Sequence, residues 1–123
     1  MKLCCLFLGG LALLGGLLLA GGCFSDDVFD HSPPAGQGSV VVDNRTGRDL
    51  NVFIGGIQVE RVGARRWRAY DRDPGVYRVV LEERNGIRNF RDDVDVLDGR
   101  LTVLDATIDT QRREGLSVYI YFD

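Results

Sequence analysis

From Ser39 onward the sequence predicts an all-β domain, an antiparallel β-sandwich of about 7–8 strands, on three observations. Short runs rich in Val, Ile, Leu, Tyr and Phe recur along the chain. Gly, Asn-Gly or Asp-Gly separates them roughly every eight to twelve residues, which is strand-and-turn spacing. No stretch after the leader carries a helical period.

Taken in order, residues 1–22 are an address before they are a structure. Lys2 precedes an apolar run from Leu3 to Leu19, and Gly21-Gly22 stands before Cys23, the layout of a secretory signal with a small-residue cleavage site. The rival reading is an uncleaved helical anchor. Glycines at 9, 10, 15, 16, 21 and 22 argue against it, because each costs a helix interior roughly 0.8–1 kcal/mol relative to Ala. Residues 23–38 read as a tether: no period of 2 or 3.6 is present, and Pro33-Pro34 blocks regular pairing.

Residues 39–123 hold the strands. Val40 and Val42 alternate in the first, and Asn44-Arg45-Thr46-Gly47 turns the chain. Leu50, Val52 and Ile54 alternate in the second; Gly55-Gly56 is a two-residue hairpin signal leading to Ile57 and Val59. Gly63-Ala64 turns into a strand in which Trp67 and Ala69 share a face, and Asp73-Pro74-Gly75 turns again into Tyr77, Val79 and Leu81. Asn85-Gly86, read as a type I′ hairpin with positive φ at both residues, joins Val76–Glu83 to a strand around Asn89 to Val96. Asp98-Gly99 leads to a strand in which Leu104, Ala106 and Ile108 alternate with Val103, Asp105 and Thr107. Leu116, Val118, Ile120 and Phe122 close the chain opposite Ser117, Tyr119 and Tyr121. So many strands joined by tight turns predict antiparallel neighbours.

Composition narrows function. The net charge is −3, which excludes the positive excess of a typical nucleic-acid binder. Of the three cysteines, Cys4 and Cys5 lie in the leader, so Cys23 alone would survive cleavage and no intramolecular disulfide would form. The one histidine, His31, falls in the tether, where no base can be held against a substrate; Cys/His nucleophilic pairs and His-based zinc sites are excluded. Asp92, Asp93, Asp95 and Asp98 form an acidic stretch out of register for an EF-hand loop, and alternation places Asp93 and Asp95 toward solvent. The expectation is no enzyme, no catalytic residue, no metal and no cofactor.

Arg61, Arg65, Arg66, Arg68 and Arg72 crowd around Trp67 and Tyr70. The bland reading makes Trp67 the central core residue and the arginines guards of an exposed strand edge. The sharper one makes Arg66, Trp67, Arg68 and Tyr70 a binding surface for a phosphate-bearing glycolipid, an acidic glycan or a protein. Phe53, Tyr119 and Tyr121 fall on the polar parity of their strands and suggest an exposed aromatic patch, with Tyr119 and Tyr121 added to the candidate surface.

Small residues before Cys23 resemble the lipobox of bacterial lipoproteins, which implies diacylation of the Cys23 sulfur and Cys23 as the first mature residue. Phe24, where Asp would favour inner-membrane retention in such proteins, implies the outer membrane, facing the periplasm. Val40 to Thr46, Asn51 to Gly56 and Pro74 to Val79 together look like short β-sandwich modules of bacterial envelope proteins, Ig-like or transthyretin-like. These resemblances imply a membrane-anchored, non-catalytic binding or structural module, with an envelope protein or glycan as partner and no nucleic acid. The alternative expectation is an accessory subunit that helps an envelope complex assemble.

Overall fold

A computed structural model describes residues 29–111 and 115–123. The leader, Cys23 and the first part of the tether lie outside the described residues. The chain divides into two compact units, Met1–His31 and Ser32–Asp123. Of the first, only Phe29, Asp30 and His31 are described, and the His31 backbone N–H donates to the Phe29 carbonyl at 2.9 Å.

The second unit is all-β. Among the described residues eight strands run: β1 (Gly38–Asn44), β2 (Leu50–Ile54), β3 (Ile57–Val62), β4 (Trp67–Arg72), β5 (Gly75–Glu83), β6 (Asn89–Val96), β7 (Leu101–Ile108) and β8 (Leu116–Phe122). They form two four-stranded sheets, β4-β1-β7-β8 and β3-β2-β5-β6. The inward alternation seen in the sequence is what joins them: Val40, Val42, Leu104 and Ala106 of one sheet meet Leu50, Val52, Ile54, Val79, Leu81, Val94 and Val96 of the other in one buried cluster. Each fully buried Leu or Val contributes about 1.5–3 kcal/mol relative to exposure. Tyr70 and Thr102 stitch the sheets at opposite sides. The Tyr70 hydroxyl donates to the Glu60 carbonyl, and Thr102 Oγ1 donates to the Asp95 carbonyl at 2.6 Å.

Two turn expectations change. β1 lies beside β4 and, in parallel, beside β7, so the neighbours are not all antiparallel. The turn after Asn44 and the Asp98-Gly99 turn cross between sheets instead of closing hairpins, which frees β1 and β7 to meet in one direction. The Asn85-Gly86 connection is longer than a two-residue hairpin, with Glu82 paired to Asn89, and only Asn85 has positive φ, at 58°. A Cβ at position 86 would stand 1.9 Å from Glu83 Oε1, so any other residue there would displace the Glu83 side chain. Glu83 is buried and faces Arg88 at 3.4 Å and Arg48 at 4.0 Å. Gly55-Gly56 does form the expected tight hairpin, with Ile54 opposite Ile57 and φ of 62° and 85°.

Candidate functional site: an arginine and tryptophan groove

Asn44 builds the site from below. It ends β1 fully buried, and its amide nitrogen reaches three carbonyls, of Arg48 at 2.8 Å, Gly63 at 3.0 Å and Val62 at 3.3 Å. Its Oδ1 accepts from the Thr46 N–H at 3.0 Å and the Thr46 hydroxyl at 2.7 Å. One side chain thus ties the β1–β2 turn to the end of β3. Asp49 adds a second tie, accepting from the Ala64 N–H at 3.0 Å. Held from both sides, the β3–β4 turn places Arg65 at φ 61°, a conformation that costs a non-glycine residue about 1–3 kcal/mol unless its surroundings impose it. The Arg65 N–H donates to the Thr46 carbonyl at 3.2 Å.

That turn and the start of β4 enclose a surface groove of about 380 Å³ lined by Val62, Gly63, Arg65, Arg66, Trp67 and Arg68. The Arg66 side chain crosses Gly63, its Cδ 3.3 Å from where a Cβ would stand. Arg68 is committed to Glu60 of β3 at 2.7 Å. Arg65 and Arg66 have no carboxylate within salt-bridge distance among the described residues. Arg65 also lines a neighbouring cleft of about 440 Å³ with Asp43, Asn44, Arg45 and Thr107.

Trp67 is not the central core residue the sequence led us to expect. It is 39% exposed on edge strand β4, with its side chain on the outward face opposite Asp43. The core place belongs to Tyr70, which is buried, so Tyr70 leaves the candidate surface. Burial pushes its phenol well above the ordinary tyrosine range. Arg66 and Arg68 remain exposed beside Trp67.

Tyr119 and Tyr121 sit elsewhere. A row across the outward face runs Trp67, Asp43, Asp105, Tyr119, and the next runs Ala69, Val41, Val103, Tyr121. Three strand spacings, roughly 14 Å, therefore separate the tryptophan from the tyrosines. Tyr119 is 68% exposed, and its ring lies 5.6 Å from that of Tyr121 at a 32° tilt. Burial, then the nearby Asp105, Asp123 and Asp43 carboxylates, push the Tyr121 phenol upward. Phe53 is half-buried against its neighbours and forms no exposed patch with them. Asp93 and Asp95 face solvent as alternation predicted. Among the described residues no group of three or more His, Cys, Asp or Glu is placed to hold a metal ion.

Sequence reasoning missed Asn44 as the organiser of the groove. The available signal was Asn-x-Thr at a turn, the pattern in which an Asn side chain mimics a backbone turn. No protein family matches the chain by sequence, and no curated protein does.

Proposed function

We propose that this chain is a non-catalytic cell-envelope lipoprotein: a leader of residues 1–22, lipidation at Cys23, and a β-sandwich, Ig-like or transthyretin-like, displayed at the outer membrane toward the periplasm. The observation that carries the binding role is Trp67, an exposed indole in one groove with Arg65 and Arg66, which have no acidic partner among the described residues. Exposed aromatic and Arg groups in a concavity are the composition of binding hot spots. The layout of Lys2, the apolar run and Cys23 supports the anchor. Cys23→Ser should abolish labelling by radioactive palmitate and release the chain from membranes; persistent labelling would overturn the anchor. Arg66→Ala should cost retention on immobilised envelope polysaccharide, and unchanged retention would count against the groove.

A second reading, an accessory subunit of an envelope complex, draws on the exposed Tyr119 beside Tyr121 on edge strand β8. It expects a co-purifying protein that is lost on Tyr119→Ala and kept on Arg66→Ala.

A further inference from the structure

We propose that the β3–β4 groove binds an acidic sugar, with one ring face against Trp67 and the carboxylate or phosphate held by Arg65 and Arg66. This rests on the groove being the working surface of the tethered module. Its volume of about 380 Å³ suits a ligand of one or a few rings and falls within the range of about 300–1,000 Å³ typical of small-ligand sites.

The charge arrangement selects an anion. Arg68 is taken up by Glu60, whereas Arg65 and Arg66 have no acidic partner among the described residues. A guanidinium presents paired N–H donors that match a carboxylate or phosphate, and two arginines without an acidic partner among the described residues, Arg65 and Arg66, line this groove. The turn is preorganised, since Asn44, Asp49 and the Arg65 N–H already fix its backbone, so little ordering remains to oppose binding.

The indole selects the rest of the ligand. A pyranose presents a flat face of C–H bonds that stacks on an indole, and its hydroxyls stay in water at an open site. An acidic peptide offers the anion without that face. An extended nucleic acid would require a broad basic surface, and a chain of net charge −3 does not supply the excess.

Trp67 is the only tryptophan, so its emission reads this groove directly. Full-length chain in detergent would be titrated with trigalacturonate, with a neutral galactose trisaccharide, and with vesicles carrying glucuronosyl diacylglycerol. A saturable emission change with an acidic sugar, weakened by salt, is the expected result. A response to free trigalacturonate identifies a soluble acidic glycan as sufficient; a response to the vesicles alone identifies a glycolipid headgroup, and either supports the assignment. Arg66→Ala and Arg65→Gly should each weaken binding at least about tenfold, the scale of losing one charge-assisted contact. Arg65→Gly also relieves the positive φ, so its thermal stability should hold or rise, which separates lost binding from lost folding. Arg91→Ala, on the outward face of the other sheet, should bind as the parent does. Equal responses to acidic and neutral sugars, no response to any, or full affinity in Arg65→Gly would overturn the proposal. Retention on native envelope material with no response to acidic sugars would overturn it while leaving the binding role standing.

Discussion

The outward faces of the two sheets are built from the same strand geometry but opposite chemistry. On the sheet β4-β1-β7-β8, the two central strands place Val41 and Val103 side by side, and both are buried although neither belongs to the cluster between the sheets. On the sheet β3-β2-β5-β6, the corresponding centre is Phe53 beside Val80, both half-buried, and Gln58 and Arg91 continue that row while Arg78 meets Asp93 at 2.6 Å in a neighbouring one. The first sheet is apolar on both sides at its centre; the second has one apolar side and one solvated side. The Arg and Trp groove and the tyrosine pair both lie at edges of the first sheet, on β4 and β8.

The largest contrast is expected from a charge placed at the centre of each outward face. Val103→Asp should cost about 3 kcal/mol or more, because a buried carboxylate would have no partner. Val80→Asp should cost under about 1 kcal/mol, as a half-exposed position lets the carboxylate reach water. Urea unfolding of both variants checks this, and equal losses would erase the distinction.

Asn44→Ala comes next, at about 2–3 kcal/mol, since it strands the buried Val62 carbonyl at the end of β3, the Gly63 carbonyl after it and the Thr46 donors. It should also loosen the β3–β4 turn and shift Trp67 emission, whereas Asn51→Ala, on the outward face of the second sheet, should leave that emission unchanged. A stability loss with native emission would mean that Asn44 does not organise the groove.

The smallest effects concern protons, and they have opposite signs on the two faces. Burial, then the neighbouring Asp105 carboxylate, push Asp43 above the ordinary carboxylate range, with Arg45 acting the other way. A folded-state pKa above the unfolded one means that protonated Asp43 favours folding, a contribution lost as pH rises through the raised value. Asp93 is held below the usual range, first by the Arg78 hydrogen bond. Its contribution is present above the unfolded pKa and lost as pH falls through the folded one. Asp43→Asn should therefore raise the neutral-pH melting temperature and Asp93→Asn should lower it slightly. Melting curves between about pH 3 and 7 test both signs.

The same contrast explains what the sequence made legible. Alternation located β2, β5 and β6 and put Val94 and Val96 inward with Asp93 and Asp95 outward, because that sheet meets water on one side. For β1 and β7 a one-sided reading sent Val103 to the polar face. The continuous run Val40-Val41-Val42 was the sign of a strand buried on both sides, but so short a run has no period to measure. The parallel meeting of β1 with β7 was hidden for a different reason: turn residues specify local reversals, and which sheet a strand joins after a crossover depends on distant partners. For the site, the Arg-rich stretch marked the right segment. Parity alone could not tell whether Trp67 or Tyr70 entered the core, since both precede a choice of face that the edge position of β4 decides.

Photocrosslinking in native membranes distinguishes the β3–β4 groove from the outward face of the sheet β3-β2-β5-β6 as the surface that meets a target. A photoreactive amino acid would replace Arg68, which lines the groove but is paired with Glu60, in one full-length variant and Arg91 in another, followed by irradiation and analysis of the captured material. The expected result is strong capture from position 68 and none above background from position 91. Capture from position 91 alone, or equal capture from both, would contradict it.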